Sequence, residues 1–208
     1  MKVRSRLNVV REVEDIAAAQ SGYFTRAQAA ASGVEDYRLQ RAVAYQQIHR
    51  VGHGVYRVAG TGQDDYQELR VMWLRLDPAS GPRARTKNPT LWVSHSSAAM
   101  VLGLGVLIPL KHEFISTTRR QLRTDSAKVR VRSAGLARSE WVVRDGFAVT
   151  SPLRTLADLD AIGTDGGHLG AYLSDALRSG AIRRSDADAL NLSQSADALL
   201  AMADKTGS

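Results

Sequence analysis

Arg50, His53 and Arg57 stand in one short stretch, IHRVGHGVYRV (48–58), around a pair of glycines. Just upstream, EDYRLQRAVAYQQ (35–47) carries Tyr37, Arg38, Gln40, Arg41 and Tyr45. Cations beside glycine suit a phosphodiester backbone. The charged groups meet phosphate oxygens, and glycine lets the main chain come close. Arginine and glutamine also match base edges in a major groove, Arg to guanine and Gln to adenine. Each good bidentate pair discriminates by about 1–3 kcal/mol. Thr25, Arg26 and Gln28, at the start of the preceding helix, complete the candidate DNA-contacting set. The plain alternative is a solvated helix face and a surface hairpin with incidental charge, because polar residues lie outside on any amphipathic helix.

Such residues need elements to hold them. LNVVREVEDIAAAQ (7–20) places Leu7, Val10, Val13 and Ile16 or Ala17 at helical spacing, and Ser21-Gly22 ends it. YFTRAQAAASG begins a second helix, with Thr25 as its N-cap and Gly33 at its end. A third helix follows over 35–47, burying Leu39, Ala42 and Val43. Strands near 48–51 and 54–58 then form a hairpin turning at Gly52-His53-Gly54. Three helices and a hairpin within residues 1–60 give the order of a winged helix-turn-helix, and a wing passing close to phosphates needs glycine at its tip.

Residues 61–90 read as a connector holding one amphipathic helix, 66–76, with Leu69, Met72, Trp73 and Leu76 on one side. The proline-rich 77–89 reads as a loop. Residues 91–208 read as a mixed domain with a small sheet and C-terminal helices. TLWV, KHEFISTT and KVRVRS are strands, a helix runs from Ser96 to Leu102, and FAVTSPLRTLADLDAI turns from strand to helix at Ser151-Pro152. The fold class is therefore α+β.

The net charge is +7, unevenly spread: +4 over residues 1–60, +6 over 111–154 and −4 over 155–208. The second basic block places Arg119, Arg120 and Arg123 in a loop and Lys128, Arg130 and Arg132 on one strand face. Like charges in such a row repel unless water or an anion compensates. Extra DNA backbone, a toxin or RNA surface, and a solvated sheet face all fit it. There is no cysteine, which excludes disulfides, thiolate zinc sites and cysteine nucleophiles. Five scattered histidines offer no paired metal-ligand spacing. No glycine pattern builds a nucleotide loop, so no cofactor is expected. His95 beside Ser94 and Ser96, with Arg154 and Asp158, reads as helix capping and an ion pair at i, i+4 rather than a hydrolase, because no nucleophile-elbow pattern surrounds these serines. An enzyme is not expected. The longest apolar run, 98–110, is too short for a bilayer and the start lacks a signal peptide, so the expectation is a cytoplasmic protein without a membrane partner.

GYFTRAQAAASGV, LQRAVAYQQIHRVGHGVYRV, SHSSAAMVLGLG (94–105) and VTSPLRTLADL (149–159) together resemble the AbiEi antitoxins of bacterial type IV toxin–antitoxin systems, over roughly residues 8–180. The resemblance implies a winged helix that binds double-stranded operator DNA and represses the module's own promoter. It also implies a C-terminal domain that counters a cognate, nucleotidyltransferase-like toxin. Some proteins with this N-terminal region carry a further nuclease-like domain, and nothing here would carry such chemistry. A palindromic operator would engage two protomers. The alternative is an ordinary winged-helix regulator whose C-terminal domain binds an effector or another protein.

Overall fold

Val9, Val13 and Ala17 recur at four-residue spacing and bury one stripe of helix α1 (Val9–Ala18). The computed structural model describes residues 9–120, 122 and 126–206. Leu7 and Arg123 lie outside them. The chain divides into two units between Pro89 and Thr90.

In the first unit α1 is followed by strand β1 (Tyr23–Thr25), helices α2 (Arg26–Ala31) and α3 (Asp36–Ala44), and the hairpin β2 (Ile48–Gly52) and β3 (Val55–Val58). The three strands form an antiparallel sheet in the order β1-β3-β2. Phe24 and Ile48 from the sheet close a core with Val13, Ala29, Leu39 and Ala42 from the helices. Tyr23-Phe24 was expected to open α2 and instead pairs with Arg57 and Tyr56 across β1–β3. Both aromatic rings are buried, which three residues of strand achieve.

The expected connector is part of this unit. Helix α4 (Gln67–Leu76) begins within one residue of its expected start and buries Leu69, Arg70, Val71, Trp73, Leu74 and Leu76, more than one stripe. Val71 approaches so closely that a Cβ on Gly52 would lie 2.6 Å from its Cγ1, so a larger residue there must displace Val71. The expected loop 77–89 contains helix α5 (Pro82–Lys87), with Pro82 in its first turn, where a missing N–H costs nothing. Arg85 of α5 is buried over the Trp73 ring, 4.9 Å from its centroid, and donates to the Ser80 and Trp73 carbonyls at 3.0 and 3.4 Å and to that of Asp77.

The second unit contains β4 (Leu91–Val93), α6 (His95–Leu102), β5 (His112–Ser116), β6 (Ala127–Val131), a 3-10 turn (Arg138–Glu140), β7 (Trp141–Arg144), β8 (Phe147–Thr150), and helices α7 (Pro152–Ala161), α8 (Gly166–Arg178), α9 (Arg184–Asp188) and α10 (Ala196–Thr206). Its five-stranded sheet runs β6-β5-β4-β8-β7, with β4–β8 and β5–β6 parallel. Ser151 caps α7 as expected, accepting from the Arg154 N–H. β7 was missed, although Asp145-Gly146, both at positive φ, makes the two-residue turn that such a dipeptide favours.

Leu156, Leu159, Leu169, Tyr172, Leu173 and Leu199 fill the helical core. Gly170 is what lets α8 meet α10: a Cβ there would sit 2.0 Å from the Leu199 carbonyl oxygen. Gly170→Ala must therefore push α10 off, and the expected cost is about 3 kcal/mol. A denaturant melt checks this, and an unchanged midpoint would show that α10 does not dock on α8.

Candidate nucleic-acid interface

α3 exposes the outward residues its periodicity requires. Tyr37 is 56% and Tyr45 69% exposed, and Gln40 and Arg41 are exposed between them. Large aromatic rings left in water on a short helix, alternating with a cation and an amide, suit stacking and hydrogen bonding to a partner better than they suit solvation alone. Inward, Leu39 and Ala42 fix the helix on the core. Arg38 does not share the outer face. It is largely buried and bridges to Glu12 of α1, with Nη2 2.8 Å from Oε2. Its position between the two helices makes it a strut for α3.

The wing turns at His53-Gly54, where Gly54 has φ +69°. That left-handed conformation is open to glycine at little cost. The tip is tied down: the Arg26 N–H at the start of α2 donates to the Gly54 carbonyl at 2.8 Å. Arg26 itself is exposed and bonds Asp36 at the start of α3, Nε to Oδ1 at 2.6 Å. The wing turn, the start of α2 and the start of α3 are thus joined in one continuous surface. The Asp36 carboxylate raises the Arg26 pKa through its hydrogen bond and charge.

Strand alternation separates the arginines that the sequence placed together. Arg50 faces Tyr56 across the hairpin, on the sheet side whose Phe24 and Ile48 meet the helices. Arg57 pairs with His49 and Tyr23, on the other side. Its guanidinium lies 5.3 Å from the Tyr23 ring centroid and Nη2 donates to the Thr61 carbonyl at 3.0 Å. Arg57 is therefore half-buried and braced against Tyr23 and Thr61. Arg50 and His53 remain exposed.

Thr25 and Gln28 are also corrected. They are 0% and 3% exposed. Thr25 accepts from the Gln28 N–H and Gln28 accepts from the Thr25 N–H, a capping box. Thr25 Oγ1 donates to the Pro78 carbonyl at 2.5 Å, and Gln28 Nε2 donates to that of Ser80 at 2.7 Å. A Thr-x-x-Gln spacing signals this box, and the sequence reading used only its first half. The surviving face is Arg26, Tyr37, Gln40, Arg41, Tyr45, Arg50 and His53.

In the same unit Asp64 and Arg70 form a nearly dry pair, Oδ2 to Nε at 2.7 Å. Burial opposes ionisation of Asp64, but the Arg70 hydrogen bond and charge outweigh it and hold its pKa below the ordinary range.

In the second unit His95 begins α6 at φ +52°, buried, with Nδ1 2.9 Å from Ser94 Oγ. The first turn of α6 is capped by Glu113, not by Ser94 or Ser96: the Ser96 N–H and hydroxyl reach Glu113 Oε2 at 3.1 and 2.5 Å. Arg130 Nη1 binds the other carboxylate oxygen at 2.9 Å. Burial, then the charge of Arg130, push the His95 pKa down to about 4 against the opposing pull of Glu113. The unfolded chain takes this proton near the ordinary value of 6.5, while the folded one refuses it until about 4. Stability is therefore expected to fall by about 3 kcal/mol as pH drops from 6.5 to 4. Unfolding free energies at pH 7 and 5 check the slope, which His95→Gln should flatten.

Arg154 binds Asp158 at 2.8 Å and also Glu140, largely shielded from water and not on the open surface. These three residues line a cleft of about 510 Å³ with Arg132, Ser139, Ser151, Leu153, Ala157 and Leu190. Of the second basic block, Arg130 is held by Glu113 and Arg120 by Ser116 and Thr90, while Arg119, Lys128 and Arg132 are exposed. Arg123 lies outside the described residues. No group of three or more His, Cys, Asp or Glu among the described residues is arranged to hold a metal, and no described helix is long and apolar enough to cross a membrane.

Helices α1–α3 on a three-stranded sheet, with β2–β3 projecting as an arm, define a winged helix. Residues 11–59 match the family described as "Transcriptional regulator, AbiEi antitoxin", a match that ends before α4. Among solved structures the chain is similar to the RV2827C protein from Mycobacterium tuberculosis, at 16% identity and a TM-score of 0.50, over 96% of this chain and 77% of that one. At that identity the likeness speaks to fold alone. No curated protein sequence matches the chain.

Proposed function

We propose that the protein is the antitoxin of a type IV toxin–antitoxin module. In this reading α3 enters the major groove of operator DNA, the wing meets the flanking backbone, and the C-terminal unit counters a nucleotidyltransferase-like toxin. The observation that carries it is the outer face of α3, where Tyr37, Gln40, Arg41 and Tyr45 are all exposed beside the anchored wing. The family match over 11–59 supports both the regulatory and the antitoxin roles. The reading makes the chain a cytoplasmic binding protein rather than an enzyme.

An electrophoretic shift with the upstream region of its own operon tests the DNA role. Tighter binding to that duplex than to random sequence is expected, with steep loss on adding salt. Equal binding to both at moderate salt would remove autorepression. Growth rescue from the adjacent toxin tests the second role, and co-purification separates direct capture from indirect neutralisation. The cleft around Arg132 and Arg154 favours one other reading, a regulator whose effector binds there. That reading predicts a shift in operator affinity on adding the effector and no toxin in the neighbouring reading frame.

A further inference from the structure

Ser151, Arg154 and Ala157 recur every third residue and set one face of α7 along the cleft of about 510 Å³. A volume of that size falls within the range of small-molecule sites, about 300–1,000 Å³. Arg132, and Ser139 and Glu140 of the 3-10 turn, add to its polar lining. Leu153, Ala157 and Leu190 supply aliphatic surface. Leu153 and Leu190 also pack against the helical core, so this apolar wall is held in place.

The charged groups of the cleft are not equally available. Asp158 Oδ1 accepts from Arg154 Nε at 2.8 Å, and its Oδ2 is sealed from solvent without a hydrogen-bond partner. Glu140 Oε1 accepts from Arg154 Nη1, and its Oε2 accepts from the Ala137 N–H at 2.7 Å. Every carboxylate oxygen is thus spent on the protein or closed to a ligand. The donors are not. A guanidinium carries five N–H groups. Arg154 gives two of them to these acids, which fix its plane, and no described residue accepts from the rest. The Arg132 side chain is exposed and has no acceptor among the described residues. The Ser151 hydroxyl accepts the Arg154 N–H at 3.4 Å but donates to no described residue, and Ser139 is exposed. A purely structural ion-pair cluster would account for the two acids. It does not account for an apolar-walled cavity beside donors that the chain leaves unused.

We propose that this cleft binds a small organic carboxylate with an apolar body. The carboxylate meets Arg154 and Arg132, and the body lies on Leu153, Ala157 and Leu190. A guanidinium held flat by two acids presents a fork that matches carboxylate geometry. Two arginines and two acids sum to zero charge, so a single negative charge is accommodated, whereas a phosphate dianion would face both Glu140 and Asp158. A cationic ligand would find no carboxylate oxygen left to meet it. The proposal rests on the effector reading for its place and adds the chemistry of the occupant. It does not require that binding alter operator affinity.

The probe is octanoate, titrated calorimetrically into the full chain. One molecule per chain should bind with a Kd of about 1 mM or tighter. Octanamide and octyl phosphate should each bind about tenfold more weakly. Arg154→Lys keeps the charge, loses the fork and should weaken octanoate about tenfold. Arg132→Gln and Ser139→Trp lie at exposed positions and carry the test should Arg154→Lys not fold. The first removes one charge-assisted contact and should weaken octanoate about tenfold. The second fills the cleft and should abolish binding. No binding of octanoate by the unaltered chain, unchanged affinity in both exposed variants, or tighter binding of octyl phosphate overturns the proposal. Operator affinity with and without octanoate separates the site from its regulatory use. Bound octanoate with unchanged operator affinity upholds the site and discards the effector reading. Absent octanoate binding discards this occupant and leaves the effector reading to be judged on its own.

Discussion

Arg41→Ala combined with Arg50→Ala is expected to weaken binding to the operon's upstream duplex by a little over a hundredfold. Arg41 is exposed on the outer face of α3, and Arg50 on the helix-bearing side of the wing. An arginine that reads a base edge or fixes a phosphate contributes about 1–3 kcal/mol, so the pair should cost about 3 kcal/mol. Neither residue belongs to the core, so the melting temperature should not move. Arg57→Ala is the informative contrast. It removes as much charge, but its guanidinium braces Tyr23 and Thr61. That variant should lose stability while the folded fraction keeps its affinity. Anisotropy titrations on the three proteins separate the roles. A double variant that binds like the unaltered chain would mean that some other surface reads DNA.

Asp64→Ala is expected to be the most damaging single change in the first unit, at about 3–5 kcal/mol. The side chains of Asp64 and Arg70 are 7% and 3% exposed. Removing the carboxylate leaves a guanidinium shut away from water with its main counter-charge gone, and the same carboxylate also accepts the Tyr66 N–H at 3.1 Å. Replacing both partners by apolar residues of similar size should cost far less than either single change. A urea titration of the two single variants and the double variant gives the comparison. The pH dependence has a definite sign. The Asp64 pKa is depressed in the folded state, so its stabilisation is present above the ordinary carboxylate range and is lost as pH falls through the folded value. In Asp64→Ala that part of the acid sensitivity should vanish.

Periodicity exposed the three helices of the first unit, because each buries a single stripe. It placed Tyr37, Gln40, Arg41 and Tyr45 outside correctly, since Leu39 and Ala42 leave no other orientation. It could not separate Arg50 from Arg57. That needs the strand register, which depends on a bulge between Arg50 and Gly52 that no composition rule locates. Thr25 and Gln28 misled for a related reason. Their polarity suggested an outer surface, but residues 78–80, fifty positions further on, close over them. Arg38 and Arg85 show the same limit. A cation that a distant partner satisfies cannot be told, in sequence, from one held ready for a ligand. In the C-terminal half, alternation found β6, whereas β7 was obscured because its exposed Val143 and Arg144 carry no clear polarity contrast.

The seam made by Thr25, Gln28, Pro78 and Ser80 bears on how such proteins can be recombined. A graft that lifts out the first sixty residues, as the helix–helix–wing pattern invites, would strip two hydroxyl and amide donors of their acceptors and lay bare Tyr23 and Val55. The heritable cassette is longer. It runs to Pro89, and crossovers that swap one reading head for another should survive at that proline and fail at residue 60.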